Sequence, residues 1–320
     1  MLAGFPAKLL EPLTGNVASL GKSAVTRVMK NSTIPGIIFI CACQFMWSLH
    51  YATVKWLAGG YSVFQLLCVR STLMVLVVLA TSPAAFKGVF RSRHKKSMTI
   101  RNSFQVVATF CFFLAAKGMG LAEVTTLNAT APLIVVLLSI TFLREPSSGF
   151  KWAAVAIGLI GTAAAAAPTG DVSLAPTFLG LASGLLWALT VILTRKDSAQ
   201  ESTSVQLLVT AIVFGIASAV FANWKAPVSW EDAGLMAILG LEVYLAQLFF
   251  VEAYRRAPAS LLAPLEYSTV VWSSILGFAL FSDLPAAHVL LGAFLIVLAG
   301  IAICLGEQAN SRKLKLQSSQ

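Results

Sequence analysis

The chain has 320 residues, of which 58% are apolar and 11% charged, with a net charge of +10 and a mean hydropathy of +0.82. A soluble domain carries about 25% charge, so a water-soluble fold of this size has nowhere to put its apolar surface, and lipid must cover it. The basic excess does not mark a nucleic-acid binder, because most Lys and Arg residues fall in alternate short connections between apolar runs.

The first 33 residues hold Lys8, Lys22, Arg27 and Lys30 among scattered Gly and Pro, without the continuous apolar core of a signal peptide. They read as a tail in which Ala18 to Met29 forms either a short interfacial helix or a disordered stretch. The first span then serves as an uncleaved anchor. Apolar runs follow at about 34–56, 62–81, 102–119, 121–142, 149–167, 174–194, 203–223, 233–253, 258–281 and 285–305, and a second tail covers 306–320. Each run approaches the roughly 20 residues a membrane helix needs, and none alternates as the strands of a barrel do. The expectation is an all-α integral membrane protein of ten transmembrane helices.

Orientation follows from the basic residues, which favour cytoplasmic loops. With the N-terminus inside, 19 of the 23 Lys and Arg residues lie in cytoplasmic segments, whereas only Lys55, Lys117 and Lys225 lie outside and Arg70 lies within a span. Both termini are expected in the cytoplasm of a cell bounded by this inner (plasma) membrane. Cys41, Cys43, Cys68, Cys111 and Cys304 all sit inside apolar runs. Cys41 and Cys43 face different sides of a helix, and no His or Cys completes a metal set, so packing is the expectation for all five.

The stretch from Ala116 aligns without gaps to that from Ala253, Glu145 aligns with Asp283, and Trp47 matches Trp187. An odd number of helices per repeat places matching loops on opposite sides, so an inverted repeat must swap its basic content. It does. The basic loop from Lys87 to Arg101 corresponds to one holding only Lys225 with Glu231 and Asp232, and the sparse loop at Lys117 corresponds to Arg255 and Arg256. Two inverted five-helix repeats are expected, over 34–167 and 174–305.

The segment RRAPASLLAPLEYSTVVWSSILGFALFSDLP, from Arg255 to Pro285, resembles the fourth and fifth helices of an EamA repeat in the drug/metabolite transporter superfamily. Lys55 at the outer end of span one, Arg70 within span two and LREP closing span four resemble the first half of that family. The resemblance implies ten helices in two inverted repeats, no ATP site, no cofactor and a central cavity open alternately to each side. Its members move amino acids, cofactor-like metabolites, nucleotide-activated compounds and drugs. Glu242, where such repeats carry a small residue, and Gly118-Met119, in place of bulkier residues, depart from the pattern.

Ionisable groups deep in a membrane are costly, about 2.5–3.5 kcal/mol each on insertion scales, and mark functional sites. Arg70, Glu242 and Glu266 qualify. They read either as a charged cavity for an ionic or zwitterionic solute or as a buried pair that orders helices. Arg70 has Ala211 as its repeat counterpart, so its partner is expected to be Glu266 or Glu242, and either glutamate is also a candidate for proton coupling. Thr125, Asn128 and Pro132 form one polar stripe on span four, and Glu266, Thr269 and Ser273 form its partner on span nine, as site or as helix glue. Pro132 and Pro264 are expected to kink their helices. Trp47, Trp187, Tyr244, Tyr267 and Trp272 are candidates to line the cavity or to pack. His50 reads as a packed or water-facing side chain, with a proton relay as the alternative. The small residues Ala154, Gly158, Gly161 and Thr162 in span five, and Gly292 and Gly300 in span ten, are packing signals. Glu252 reads as a local partner of Arg255.

The expected function is a carrier of a small polar or zwitterionic metabolite, acting as an exporter, with import of a cofactor-like compound and a non-transporting receptor or scaffold as alternatives. The partners are that solute and the bilayer, not nucleic acid, and a homodimer is compatible with the reading. An enzyme would need a clustered acid–base or metal set, and His50, His94 and His288 are far apart in sequence.

Overall fold

The computed structural model describes residues 11–57, 60–118, 124, 127–145, 149–166, 174–227, 229–282, 287–288, 290–299 and 301, with side chains at all of these except 11–32, 116–118 and 165–166. Among the described residues every regular element is a helix. In chain order these are α1 (Glu11–Leu57), α2 (Val63–Thr81), α3 (Ala84–Arg91), α4 (Lys95–Gly118), α5 (Ala131–Phe142), α6 (Gly149–Ala166), α7 (Leu174–Ser198), α8 (Thr203–Ala219) and α9 (Trp230–Arg256). Then come α10 (Ala259–Leu262), a 3₁₀ turn (Ala263–Tyr267), α11 (Ser268–Phe281) and α12 (Leu290–Ala299). Six helical segments are long and apolar enough to cross a membrane, and four more are apolar but shorter. The protein is a multi-pass membrane protein.

Several elements differ from expectation for local reasons. α1 begins at Glu11, so much of the expected tail is helical. α3 lies in what reads as a loop. Its Phe86 and Phe90 share a face at i, i+4, are exposed and contact each other edge to face, a pattern suited to a membrane interface. α4 starts at Lys95, which brings Arg101 from the expected loop into a helix where it is 2% exposed. Span four breaks before Ala131, so Pro132 occupies the first turn of α5. There no N–H is required, and the proline starts a helix instead of kinking one. Pro264 does mark a change of course: it lies in the 3₁₀ turn between α10 and α11. Thr125, Asp283, Gly300 and Cys304 lie outside the described residues.

The helices pack in reciprocal pairs. α1 lies along α9, α4 along α7 and α2 along α8, with secondary contacts of α2 to α9 and α4 to α8, and of α1 to α11 and α5 to α7. Ile40, Cys43, Met74, Val135, Ala188, Val191, Leu208, Phe250 and Tyr254 fill the interior. Phe142, Phe178 and Ile216 are turned outward, as a lipid-facing surface requires. Small residues let backbones approach: a Cβ on Gly161 would stand 2.9 Å from the Gly292 carbonyl, and one on Gly158 would stand 2.2 Å from the Tyr267 ring.

The connections rich in Lys and Arg gather at one end. Arg195 donates to the Tyr254 carbonyl at 2.6 Å and to Glu145 at 3.4 Å. Arg255 donates to the carbonyls of Ser198 and Glu201, and Ser92 donates to the Glu201 carboxylate at 2.5 Å. Glu145 accepts the backbone N–H groups of Ala259 and Ser260, both at 3.1 Å, an acid at the positive end of a helix. Glu252 pairs with both Arg255 and Arg256. Arg101 bonds Gln206 at 2.6 Å and Thr210 at 3.2 Å and lies 3.9 Å from Asp197, so its charge is absorbed inside the bundle. At the opposite end Tyr61 donates to Asp232 at 2.6 Å, and Gln65 exchanges two bonds with the Lys225 backbone.

Candidate functional site

Trp47, His50 and Thr53 are spaced three apart on α1 and so lie along one helical face. That face meets α2 and α9 where both carry charge. Arg70 on α2 places its Nη1 2.5 Å from His50 Nε2. His50 Nδ1 faces Glu242 Oε2 on α9 at 3.5 Å, and Thr53 donates to Glu242 Oε1 at 2.8 Å. The guanidinium carbon of Arg70 lies 5.7 Å from each of the Trp47 and Phe214 ring centroids, within cation–π range. All three ionisable side chains are buried. Yet Arg70 Nε, His50 Nδ1 and Glu242 Oε2 have no hydrogen-bond partner among the described residues.

Arg70 therefore does not pair directly with either glutamate, contrary to expectation, because the His50 ring stands between it and Glu242. Its other side opens on a small cavity of about 10 Å³, bordered by Trp47, Gln105, Thr210, Phe214 and Gln247. A cavity of that size holds about one water. Ala211, the repeat counterpart of Arg70, lines the same cavity.

Glu266 lies in a second cluster. Tyr254 donates to its Oε1 and Trp187 Nε1 donates to its Oε2 at 3.0 Å, so α7, α9 and the 3₁₀ turn converge on one carboxylate. Trp187 and Tyr254 both pack on the Phe250 ring. Glu266 does not border the Arg70 cavity.

The other sequence candidates scatter. Asn128 donates to Ser183 at 2.9 Å, which in turn donates to the Ala108 carbonyl. Thr269 and Ser273 both hydrogen-bond Ser48 at 3.2 Å, tying α11 to α1 as helix glue. Tyr267 donates to the Ala129 carbonyl at 2.7 Å. Trp272 packs edge to face on Phe45 and borders an apolar crevice of about 350 Å³ with Ile37, Cys41 and Ile296. Tyr244 places its hydroxyl 3.4 Å from Thr81, away from Glu242. Phe214, Gln105 and Gln247 carry no signal in the sequence, since a Phe or Gln in an apolar run reads as core. His50 does carry one, lying at i+3 from Trp47 and i−3 from Thr53.

The buried Arg70, His50 and Glu242 thus meet inside an apolar helical bundle beside a small cavity. The chain belongs to the EamA-like transporter family, which matches it twice, over residues 34–166 and 175–305. An uncharacterized transporter of Helicobacter pylori is 28% identical over 295 residues, covering 87% of this chain and 97% of its own. An S-adenosylmethionine uptake transporter of Rickettsia felis is 30% identical over 207 residues, 62% of this chain and 70% of its own. A pseudopaline exporter of Pseudomonas aeruginosa is 24% identical over 273 residues, 84% and 95%. One crystal structure superposes with a TM-score of 0.74 at 21% identity, covering 87% of this chain and 98% of that one, a likeness of fold.

Proposed function

We propose that this protein is a secondary carrier that moves a small zwitterionic metabolite bearing a carboxylate, with Arg70 as the group that receives the carboxylate. The observation that carries this reading is the Arg70 guanidinium itself. It is buried beside two aromatic rings, borders the small cavity and keeps Nε without a partner among the described residues. A planar guanidinium suits a carboxylate better than any other side chain. Gln105 and Gln247 add amide groups beside it. Glu266 stands apart from this cavity, with its two carboxylate oxygens held by Tyr254 and Trp187.

Alternating access over ten spans in two inverted repeats accounts for the rest. Exchange of the two halves maps the α1–α9 pairing onto α7–α4, maps α2–α8 onto itself, and maps α1–α11 onto α7–α5, which supports the repeat. The cavity admits about one water, so a solute requires the halves to part. Gathering of the basic connections at one end supports an inner-membrane orientation with both termini cytoplasmic.

Equilibrium exchange of labelled S-adenosylmethionine by the full chain in proteoliposomes tests this, because that probe joins a carboxylate to cationic centres. Exchange by wild type and none by Arg70→Met supports the reading. Equal exchange by both overturns the role of Arg70, and no exchange of this probe or of a panel of amino acids overturns the solute class.

A further inference from the structure

Arginine only donates hydrogen bonds, and its guanidinium stays charged in proteins. With Arg70 Nη1 2.5 Å from His50 Nε2, Nε2 must accept and so carries no proton. The imidazole proton then sits on Nδ1, which points at Glu242 Oε2 across 3.5 Å. A second proton on Nε2 would set two donors and two positive charges against each other, so His50 gains it only when Arg70 turns away. The cavity beside Arg70 supplies the reason to turn: a carboxylate arriving among Trp47, Gln105 and Phe214 would draw the guanidinium off the imidazole.

The other titratable groups around His50 do not replace Arg70 in this role. Glu242 on α9 faces Nδ1, and Tyr51 follows on α1 itself, its ring 6.1 Å from the imidazole. On the 3₁₀ turn, Glu266 and Tyr267 are bonded to Tyr254, Trp187 and the Ala129 carbonyl. α11 carries no titratable side chain.

We infer that His50, Arg70 and Glu242 form a proton–solute coupling site, in which docking of a carboxylate on Arg70 frees His50 Nε2 to bind one proton. This deepens the carrier reading and rests on it for the identity of the solute. The balance is one proton per carboxylate: Arg70 exchanges its neutral imidazole acceptor for the solute anion, a solvent proton bonds to Nε2, and the resulting imidazolium faces the Glu242 carboxylate. Because proton and solute bind together, the carrier is a symporter, and an inward proton gradient drives uptake.

The test begins without any solute. With imidazole-¹⁵N histidine in the full purified chain there are only three histidines, and His50→Gln assigns the resonance of His50. The expected wild-type ring carries its proton on Nδ1 alone across about pH 5–8, the range in which histidine ordinarily titrates. In Arg70→Met no guanidinium donor faces Nε2, and the proton is expected to distribute over both ring nitrogens. A wild-type ring protonated on Nε2, or doubly protonated, overturns the inference. The second arm adds S-adenosylmethionine in weak buffer with an indicator dye: about one proton taken up per solute bound by wild type, and none by His50→Gln, is expected. Binding without proton uptake in wild type overturns the coupling. If the probe does not bind at all, the solute reading fails on that arm while the tautomer measurement still decides the proton site.

Discussion

Two buried glutamates of this protein are held in opposite ways. Glu266 has both carboxylate oxygens engaged, one by Tyr254 and one by Trp187. Glu242 has one oxygen engaged by Thr53 and the other facing His50 Nδ1 beyond bonding distance, while Arg70 Nε stands alone nearby. A buried polar group without a partner costs about 1–3 kcal/mol, and native structures tolerate such groups chiefly where function needs them. Glu266 thus ties three segments together, whereas the Arg70 cluster leaves hydrogen-bonding capacity unused among the described residues. The repeat sharpens the contrast. Trp47 and Trp187 are equivalent positions, yet one lends its ring face to a cation and the other lends its N–H to an acid.

The largest expected effect is at Arg70. Removing one member of a buried charged contact costs about 2–5 kcal/mol where that contact is used, so Arg70→Met should lower transport at least about 30-fold. Its melting temperature should stay near wild type, because a half-satisfied buried charge leaves with it. Transport assays beside a thermal melt in detergent check both. Glu266→Gln should do the reverse, losing about 1–3 kcal/mol of stability with a smaller loss of transport. If Glu266→Gln abolishes transport at an unchanged melting temperature, the contrast between the clusters collapses.

Gly158→Val comes next. Its side chain would enter the space of the Tyr267 ring, 2.2 Å from where the first carbon must sit. Overpacking of this kind costs about 1–3 kcal/mol, readable as a lower melting temperature. Single cysteines in a cysteine-less background locate the two clusters relative to the membrane faces. Ser92→Cys and Gln200→Cys should label only from the cytoplasm and Pro227→Cys only from outside, and outside labelling at Gln200 would sink the inverted topology. Tyr244→Phe is the smallest: it removes only a 3.4 Å contact with Thr81 and should change transport and stability by less than about 0.5 kcal/mol.

How much was legible depended on the kind of signal. Deep charges are conspicuous in apolar runs because lipid penalises them, so Arg70, Glu242 and Glu266 stand out unaided. Their partners do not, since an Arg reaches several helices and nothing local says which. His50 was the intermediate case: its spacing from Trp47 and Thr53 set it on their face, but only α2 and α9 gave that face its meaning. Arg101 read as a loop residue because its neighbours are basic. The partners that permit its burial, Asp197 and Gln206, come from distant parts of the chain.

Hydropathy, periodicity and charge asymmetry are properties of contiguous residues facing one solvent, so the sequence by itself determined that the chain is helical and crosses the membrane repeatedly, and the segment from Arg255 to Pro285 carried its resemblance to the EamA-like transporters. The breaks at Ala131 and Pro264, the role of His50 as the ring between Arg70 and Glu242, and the division of labour between the two glutamates were decided only by tertiary structure. Each depends on which side chain arrives across a helix interface within about 3 Å, the reach of a hydrogen bond, and no local pattern encodes that distance.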